Sequence, residues 1–112
     1  WLAGCLNDWH LAYLHLMRGD FFGKQHGDVV TPVRAAYRGV LIGNMGYKAD
    51  EASAAIATGQ LDAVAFGTAF LANPDLPERI RRKAALNAPD PATFYTPGPR
   101  GYTDYPTLAE SA

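Results

Sequence analysis

The stretch that decides the fold occupies residues 61–67 and reads Leu-Asp-Ala-Val-Ala-Phe-Gly. It is apolar almost throughout and ends at a glycine, which is the pattern of a short buried strand. Residues 11–17 and 40–42 have the same character, although His15 interrupts the first of them. Strands without a regular polar alternation belong mostly to parallel sheets that helices cover. We therefore expect three parallel strands, buried on both faces.

Helical segments separate these strands. Residues 29–37 carry apolar side chains at helical spacing, with Pro32 in the first turn. Residues 49–58 begin with acidic side chains and stop at Gly59, and residues 1–10 have the pattern of a helix end. Strands that alternate with helices imply an α/β fold with right-handed crossovers.

A further helix follows the third strand. Residues 68–72 fit one short helical turn, and Asn73 with Pro74 then forms a helix start, because a side-chain cap precedes a proline at the first helical position. This helix should direct Leu76 and Ile80 inward. It ends in basic residues that we interpret as a solvated helix end, namely Arg79, Arg81, Arg82 and Lys83.

The C-terminal part has a different composition. Residues 84–112 are rich in proline and lack sustained periodicity, yet aromatic side chains recur there. A disordered tail would be poorer in aromatic residues. We therefore expect two parts: α/β units over residues 1–83, and an ordered, irregular extension over residues 84–112 that packs on them.

Composition excludes several classes of function. The 112 residues suit one small domain, and ten basic against eleven acidic side chains give a net charge of −1. Nucleic-acid and membrane-surface binding both favour a basic face, so neither partner is expected. No apolar run approaches the roughly 20 residues that span a bilayer. The single cysteine, Cys5, fits a reducing, cytoplasmic setting.

Glycines follow two of the three predicted strands, at residues 43–46 and 66–68. In parallel α/β folds, ligands bind at the carboxyl ends of the strands. Glycine lets backbone N–H groups approach an anion, and a helix start adds a favourable dipole. Taken alone, each of these turns is more simply explained as an ordinary tight turn than as a phosphate-binding turn. Two in succession, the second before a short helix, match the phosphate site of a TIM (β/α)₈ barrel.

Long stretches resemble the Old Yellow Enzyme family, FMN-dependent ene reductases built on a TIM barrel. Residues 61–67 and 70–76 look like its eighth strand, phosphate turn and last helix. Residues 91–95 and 101–108 look like its C-terminal signature, and the matches near Tyr13 and Tyr47 are looser. The resemblance implies the C-terminal portion of a barrel, about three β/α units carrying strands 6–8. It also implies FMN as cofactor, NAD(P)H as reductant and an activated alkene such as an enone as substrate.

The resemblance also implies site residues. The FMN phosphate positions of the family fall at Met45, Gly46, Gly67 and Thr68, and the tyrosine that lines its substrate pocket matches Tyr95. A packed aromatic that anchors the tail is an equal interpretation of Tyr95. The family's substrate-activating histidine pair and proton donor come from earlier strands, so no catalytic residue is expected in this chain. The protein would need the N-terminal portion of the barrel, and the start at Trp1 suggests a piece of a longer protein.

Three positions depart from the family pattern. Thr68 stands where the family has its phosphate-binding arginine, and it offers one hydroxyl instead of a charged fork. Lys48 stands where threonine usually caps the next helix, and we hypothesise that Lys48 reaches the phosphate in place of the arginine. A solvent-facing lysine is the simpler interpretation. Met45 stands where the family mostly has glycine, so its Cβ is expected to obstruct close backbone approach.

The remaining chemical groups predict no second site. His15 lies inside a strand, as a satisfied structural histidine would, and His10 and His26 are expected at the surface. The histidines lack metal-ligand spacing, so no metal is predicted. Cys5 has no basic neighbour in sequence and should be buried or inert. Two alternatives stay open: a truncated, non-catalytic remnant of such an enzyme, and a small stand-alone phosphate-binding α/β domain.

Overall fold

A computed structural model describes residues 1–20, 22–25 and 27–110. Trp1–Ala65 form one compact unit and Phe66–Ala112 form a second. The first unit contains α1 (Leu2–Cys5), a 3₁₀ turn, β1 (Leu14–Met17), α2 (Val30–Ala36), β2 (Leu41–Asn44), α3 (Ala49–Ala57) and β3 (Ala63–Val64). The second contains α4 (Thr68–Ala72), α5 (Leu76–Arg82) and a 3₁₀ turn at Pro91–Thr93.

The three strands form one parallel sheet in the order β1-β2-β3. Leu14 pairs with Leu41, and Ile42 pairs with Ala63. The predicted α/β class and the parallel sheet are thus confirmed. The first and third strands are shorter than predicted, because the first begins at Leu14, not at residue 11, and the third keeps only two residues. The second strand runs to Asn44, two residues beyond its predicted end.

One face of the sheet holds the core of the first unit. Leu41 and Leu61 are fully buried there, and Val30 of α2 and Ala55 of α3 pack against them. Gly43 belongs to this packing as well, because a Cβ at Gly43 would lie 2.4 Å from Cδ1 of Leu61. Burial of each leucine side chain stabilises the unit by roughly 2 kcal/mol.

The expectation of strands buried on both faces is wrong for β1. Leu14 and Leu16 are half-buried against the core, whereas His15 and Met17 are exposed. The core of this unit lies on the side of Leu14 and Leu16, and the side chain of His15 is directed away from it. His15 is therefore not the satisfied interior histidine that its position predicted.

Helix boundaries follow the sequence signals closely at α3 and less closely at α5. The α3 helix ends before Gly59, which has the predicted left-handed conformation at φ 73°. The predicted start of α5 is wrong: Asp75 is its N-cap and Pro77 lies in its first turn. Asn73 instead is buried, donates to the carbonyl oxygen of Ala69 at 2.9 Å, and accepts from the N–H of Asn87 at 2.7 Å.

Arg79 is not part of a solvated helix end. Its side chain is 3% exposed and donates to Asp75 and to the carbonyl oxygens of Ala85 and Pro106. Asp75 in turn accepts from the N–H of Leu108 at 2.7 Å. Within the second unit these bonds hold the described part of the C-terminal segment against α5. The predicted boundary between residues 83 and 84 stays a prediction.

Within the described ranges, no helix has the length and apolar character needed to cross a lipid bilayer.

Candidate functional site

The loop after β2 has an unusual backbone. Met45 and Gly46 have φ angles of 79° and 69°, so two consecutive residues are left-handed. Glycine adopts this region without steric cost, whereas a residue with a Cβ loses about 1–2 kcal/mol. The side chain of Asn44 offsets part of this cost by accepting from the N–H of Met45. A strained backbone at the carboxyl end of a strand is typical of a functional loop.

Arg18 holds this loop from the end of β1. Its Nε donates to the carbonyl oxygen of Met45 at 2.7 Å, and its Nη2 donates to that of Gly46 at 2.9 Å. The guanidinium lies 3.6 Å from the centre of the Tyr47 ring and forms two hydrogen bonds with the carboxylate of Glu51. Arg18 thus binds three consecutive loop residues and the first turn of α3. We call these five residues the Arg18 clamp.

The clamp also shifts the protonation equilibria of its two charged members. The hydrogen bond from Arg18 lowers the pKa of Glu51, and the same bond raises the pKa of Arg18. Both shifts favour the charged forms, so the pair is ionised at neutral pH.

The clamp determines where the N–H groups of the loop point. In a peptide unit the C=O and the following N–H are antiparallel. With the Met45 and Gly46 carbonyls bound to Arg18, the N–H groups of Gly46 and Tyr47 point away from it. In the described part of the chain neither N–H has a hydrogen-bond acceptor. Two consecutive N–H groups without an acceptor are suited to an anion.

Lys48, the residue between this loop and α3, is exposed. It occupies the N-cap position of α3, and its side chain forms no capping hydrogen bond. The absence of a cap agrees with the expectation that lysine cannot supply one. Nothing in the structure tests whether the Lys48 ammonium reaches a phosphate.

The second predicted turn lies in the second unit. Gly67 is the N-cap of α4 and Thr68 is its first residue, and both are exposed. The carbonyl oxygen of Gly67 accepts from the N–H of Leu71 at 2.9 Å, so the N–H groups of the first turn stay available. A Cβ on Gly67 would have no heavy atom within 4 Å, which leaves open space beside the turn.

Tyr95 is a left-handed residue at φ 59° and is 93% exposed in this chain. It therefore does not anchor the tail. Tyr105 has that role, because its hydroxyl accepts from the N–H of Asp90 at 2.8 Å. The exposure of Tyr95 leaves its assignment to a substrate pocket as a prediction.

The other candidates supply no second site. His10 is exposed, as predicted, and Cys5 is half-buried. The expectation for His26 lies outside the described residues. Over the described ranges, no cluster of three or more His, Cys, Asp or Glu side chains is placed to hold a metal ion.

Sequence reasoning missed Arg18. Two signals could have found it: Arg18 directly follows a strand, and Glu51 lies in the first turn of the helix after the neighbouring strand. Parallel pairing brings these carboxyl ends together, as the pairing of Met17 with Asn44 shows.

Comparison with known proteins gives close relatives. No protein-family model matches the chain. It is 48% identical over 108 residues to a probable flavin mononucleotide-dependent alkene reductase of Leishmania infantum, an alignment that covers 96% of this chain and 29% of the relative. It is 37% identical over 119 residues to 12-oxophytodienoate reductase 2 of Arabidopsis thaliana, covering 100% of this chain and 31% of the relative.

Solved structures agree. The old yellow enzyme from Trypanosoma cruzi superposes with a TM-score of 0.92 at 50% identity, over 96% of this chain and 28% of that one. Morphinone reductase superposes with a TM-score of 0.84 at 46% identity, over 98% of this chain and 30% of that one. The chain thus spans about three-tenths of the length of these relatives.

The parallel sheet with its crossover helices and these superpositions define the chain as a partial segment of a TIM barrel. Its relatives and structural neighbours are ene reductases of the Old Yellow Enzyme family, as the sequence resemblance predicted.

Proposed function

We propose that this segment supplies part of the FMN phosphate site of an ene reductase that passes hydride from NAD(P)H through FMN to an activated alkene. The observation that carries the proposal is the pair of unpaired N–H groups at Gly46 and Tyr47, oriented by the clamp at the end of a barrel strand. Similarity to the relatives supports the rest, since the Leishmania relative is named for flavin mononucleotide and alkene reduction.

Four residues would hold the phosphate: Met45, Gly46, Gly67 and Thr68. The loop at Met45–Gly46 fits an anion because the N–H groups of Gly46 and Tyr47 have no acceptor in the described structure, whereas that of Met45 is held by the side chain of Asn44. The start of α4 fits because Thr68 adds a hydroxyl to a free backbone N–H and Gly67 leaves open space. FMN, when bound, supplies the hydride chemistry. The residues of this segment bind and orient its phosphate.

Two further roles belong to the proposal. Lys48 compensates for the arginine that Thr68 replaces, by placing its ammonium near the phosphate. Tyr95 lines the pocket of an enone-type substrate, and its exposed ring in this chain leaves it available for such a contact. A cytoplasmic location stays a prediction that depends on the single cysteine.

The test uses the complete protein that carries this segment and compares FMN with riboflavin, which lacks the phosphate. We expect FMN to bind at least ten-fold more tightly, by flavin fluorescence titration, and to support reduction of an enone by NADPH or NADH. Lys48→Ala should weaken FMN binding and leave riboflavin binding unchanged. Lys24→Ala, an exposed lysine of the same unit, is the control.

Equal binding of FMN and riboflavin would overturn the phosphate site. Absence of flavin binding in the complete protein would instead support the non-catalytic remnant, which the Thr68 and Met45 departures favour. Unchanged FMN affinity in Lys48→Ala would remove the role of Lys48 alone.

A further inference from the structure

Arg18 has no role in the phosphate site proposed above, yet its side chain contacts four groups of the loop after β2 and of α3. It binds two main-chain carbonyls, one carboxylate and one aromatic face. Its side chain is only 27% exposed. A cation with this many partners is immobilised, and Arg is suited to the task because its planar fork donates in several directions at once.

The partners of Arg18 show that it does not serve as a phosphate ligand. Glu51 accepts from both Nη1 and Nη2, so the charge of the guanidinium is already paired. Nε and the second N–H of Nη2 donate to the carbonyl oxygens of Met45 and Gly46, so four of the five guanidinium N–H groups have acceptors. An anion that bound to Nη1 and Nη2 would have to displace Glu51 from that edge of the guanidinium.

The loop needs such an external support. Met45 adopts a left-handed φ of 79° despite its Cβ, and a strained residue persists only when its surroundings hold it there. The side chain of Asn44 binds the N–H of Met45, and Arg18 binds its carbonyl oxygen. Without Arg18, the Met45 and Gly46 peptides lose the contacts that orient them.

We propose that Arg18 is a positioning residue that pre-orients the Gly46 and Tyr47 N–H groups toward the FMN phosphate, with Glu51 fixing the orientation of its guanidinium. The inference rests on the proposed function, because it assigns Arg18 to the same phosphate loop. Arg18 acts through the peptide units and makes no contact with the phosphate itself. The benefit is preorganisation: the donors already have their bound orientation before the ligand arrives.

The experiment measures FMN and riboflavin affinities of the complete protein for wild type, Arg18→Met, Arg18→Lys and Glu51→Gln. We expect Arg18→Met to lower the FMN-to-riboflavin affinity ratio about ten-fold while changing riboflavin affinity less than two-fold. The FMN-to-riboflavin ratio of Arg18→Lys should lie between those of Arg18→Met and wild type. The lysine ammonium can bind one of the two loop carbonyls, but it cannot bind both carbonyls and Glu51 in the geometry of a guanidinium. Glu51→Gln should give an intermediate ratio.

Arg34→Met is the matched control. Arg34 also pairs with a carboxylate, Asp62 at 3.0 Å, and binds the carbonyl oxygens of Tyr37 and Gly39, but it does not contact the loop after β2. A variant that only destabilises the protein, and has no role at the phosphate, should change its affinities for FMN and riboflavin by the same factor. The ratio in Arg34→Met should therefore equal that of wild type.

Two outcomes separate the two proposals. A wild-type protein that does not prefer FMN to riboflavin overturns the phosphate site, and the role of Arg18 with it. A wild-type preference that Arg18→Met and Glu51→Gln both retain in full overturns the role of Arg18 alone. If Arg18→Met does not fold, the Arg18→Lys and Glu51→Gln ratios decide the question in the same way.

Discussion

The guanidinium of Arg79 donates to the carbonyl oxygen of Pro106 at 2.8 Å, although the two residues lie far apart in sequence. The same side chain binds Asp75 at 2.7 Å and is 3% exposed. A helix residue that sequence patterns assign to solvent thus orders the C-terminal segment.

Replacing Arg79 should therefore destabilise the protein. Arg79→Met removes one donor from the Asp75 carboxylate and from the carbonyl oxygens of Ala85 and Pro106, and removal of one partner from a buried pair costs about 3 kcal/mol. Urea unfolding should show this loss, and chymotrypsin should cleave more rapidly at Tyr102. Arg81→Met, whose side chain is 74% exposed, is the control and should change stability by less than about 0.5 kcal/mol. Equal stability of the two variants would contradict the buried role of Arg79.

Asp75 should make stability depend on pH in the acid range. The N–H of Leu108 and then the Arg79 guanidinium hold the pKa of Asp75 below its ordinary value of 3.8. A carboxyl group whose folded pKa is lowered stabilises the fold above its unfolded pKa, and that contribution is lost as pH falls through the folded pKa. The difference in melting temperature between wild type and Asp75→Asn should be constant above about pH 5 and shrink below about pH 4. A constant difference down to about pH 2 would exclude this linkage.

Gly101→Ala should be more damaging than Gly98→Ala. Both glycines have positive φ, at 79° and 96°, so both variants incur backbone strain of about 1 kcal/mol. Only at Gly101 would the new Cβ meet another group, 2.0 Å from Oγ1 of Thr93, whereas nothing lies within 4 Å of Gly98. We expect Gly101→Ala to lose about 2 kcal/mol more in urea unfolding. Similar losses would show that Thr93 does not pack against Gly101.

Met45→Gly should strengthen FMN binding. Glycine removes the steric cost of the left-handed conformation and the Cβ that hinders close approach of the backbone. Met45→Ala is the matched control, because alanine keeps the Cβ while removing the rest of the side chain. FMN titration should show an affinity several-fold higher for the glycine variant than for the alanine variant. Equal affinities would mean that the Cβ at this position does not hinder the phosphate.

Thr68→Arg should also tighten FMN binding, by restoring a charged fork at the start of α4. A charge-assisted contact of roughly 1.5–3 kcal/mol corresponds to about ten- to a hundred-fold in affinity. Thr68→Met, similar in length and uncharged, is the control, and riboflavin affinity should not change in either variant. An arginine variant that binds FMN no better than the methionine variant would place Thr68 away from the phosphate.

Local patterns in the sequence were sufficient for the element order and for the parallel sheet. Residues 49–58 carry an acidic start and a glycine stop, and α3 follows both. The predicted start of α5 is wrong, because Asn73–Pro74 and Asp75 with Pro77 are similar capping signals two residues apart. The N–H of Asn87, which bonds to the side chain of Asn73, distinguishes them, and this contact is invisible to a local pattern.

The candidate site was predictable only in part, because the contacts that support it also join residues that are distant in sequence. Glycines at strand ends mark the loops, and the resemblance assigns them a ligand. The support of the loop comes from Arg18 and Glu51, which meet only after β1 and β2 have paired. Burial also depends on residues distant in sequence. The predicted exposure of Arg79 and the predicted burial of His15 are wrong, because a helix or strand pattern does not reveal which neighbours cover a face.

The parallel sheet has a kinetic consequence. Leu14 pairs with Leu41, and Ile42 pairs with Ala63, so each strand pair closes a loop of roughly 20 to 30 residues. Such non-local contacts have high contact order and form slowly, whereas α3 can form within a microsecond. Helices should thus precede the sheet during folding, and the apolar strands stay exposed in the interval. The folding rate of this segment is therefore limited by the search for strand register and not by local structure.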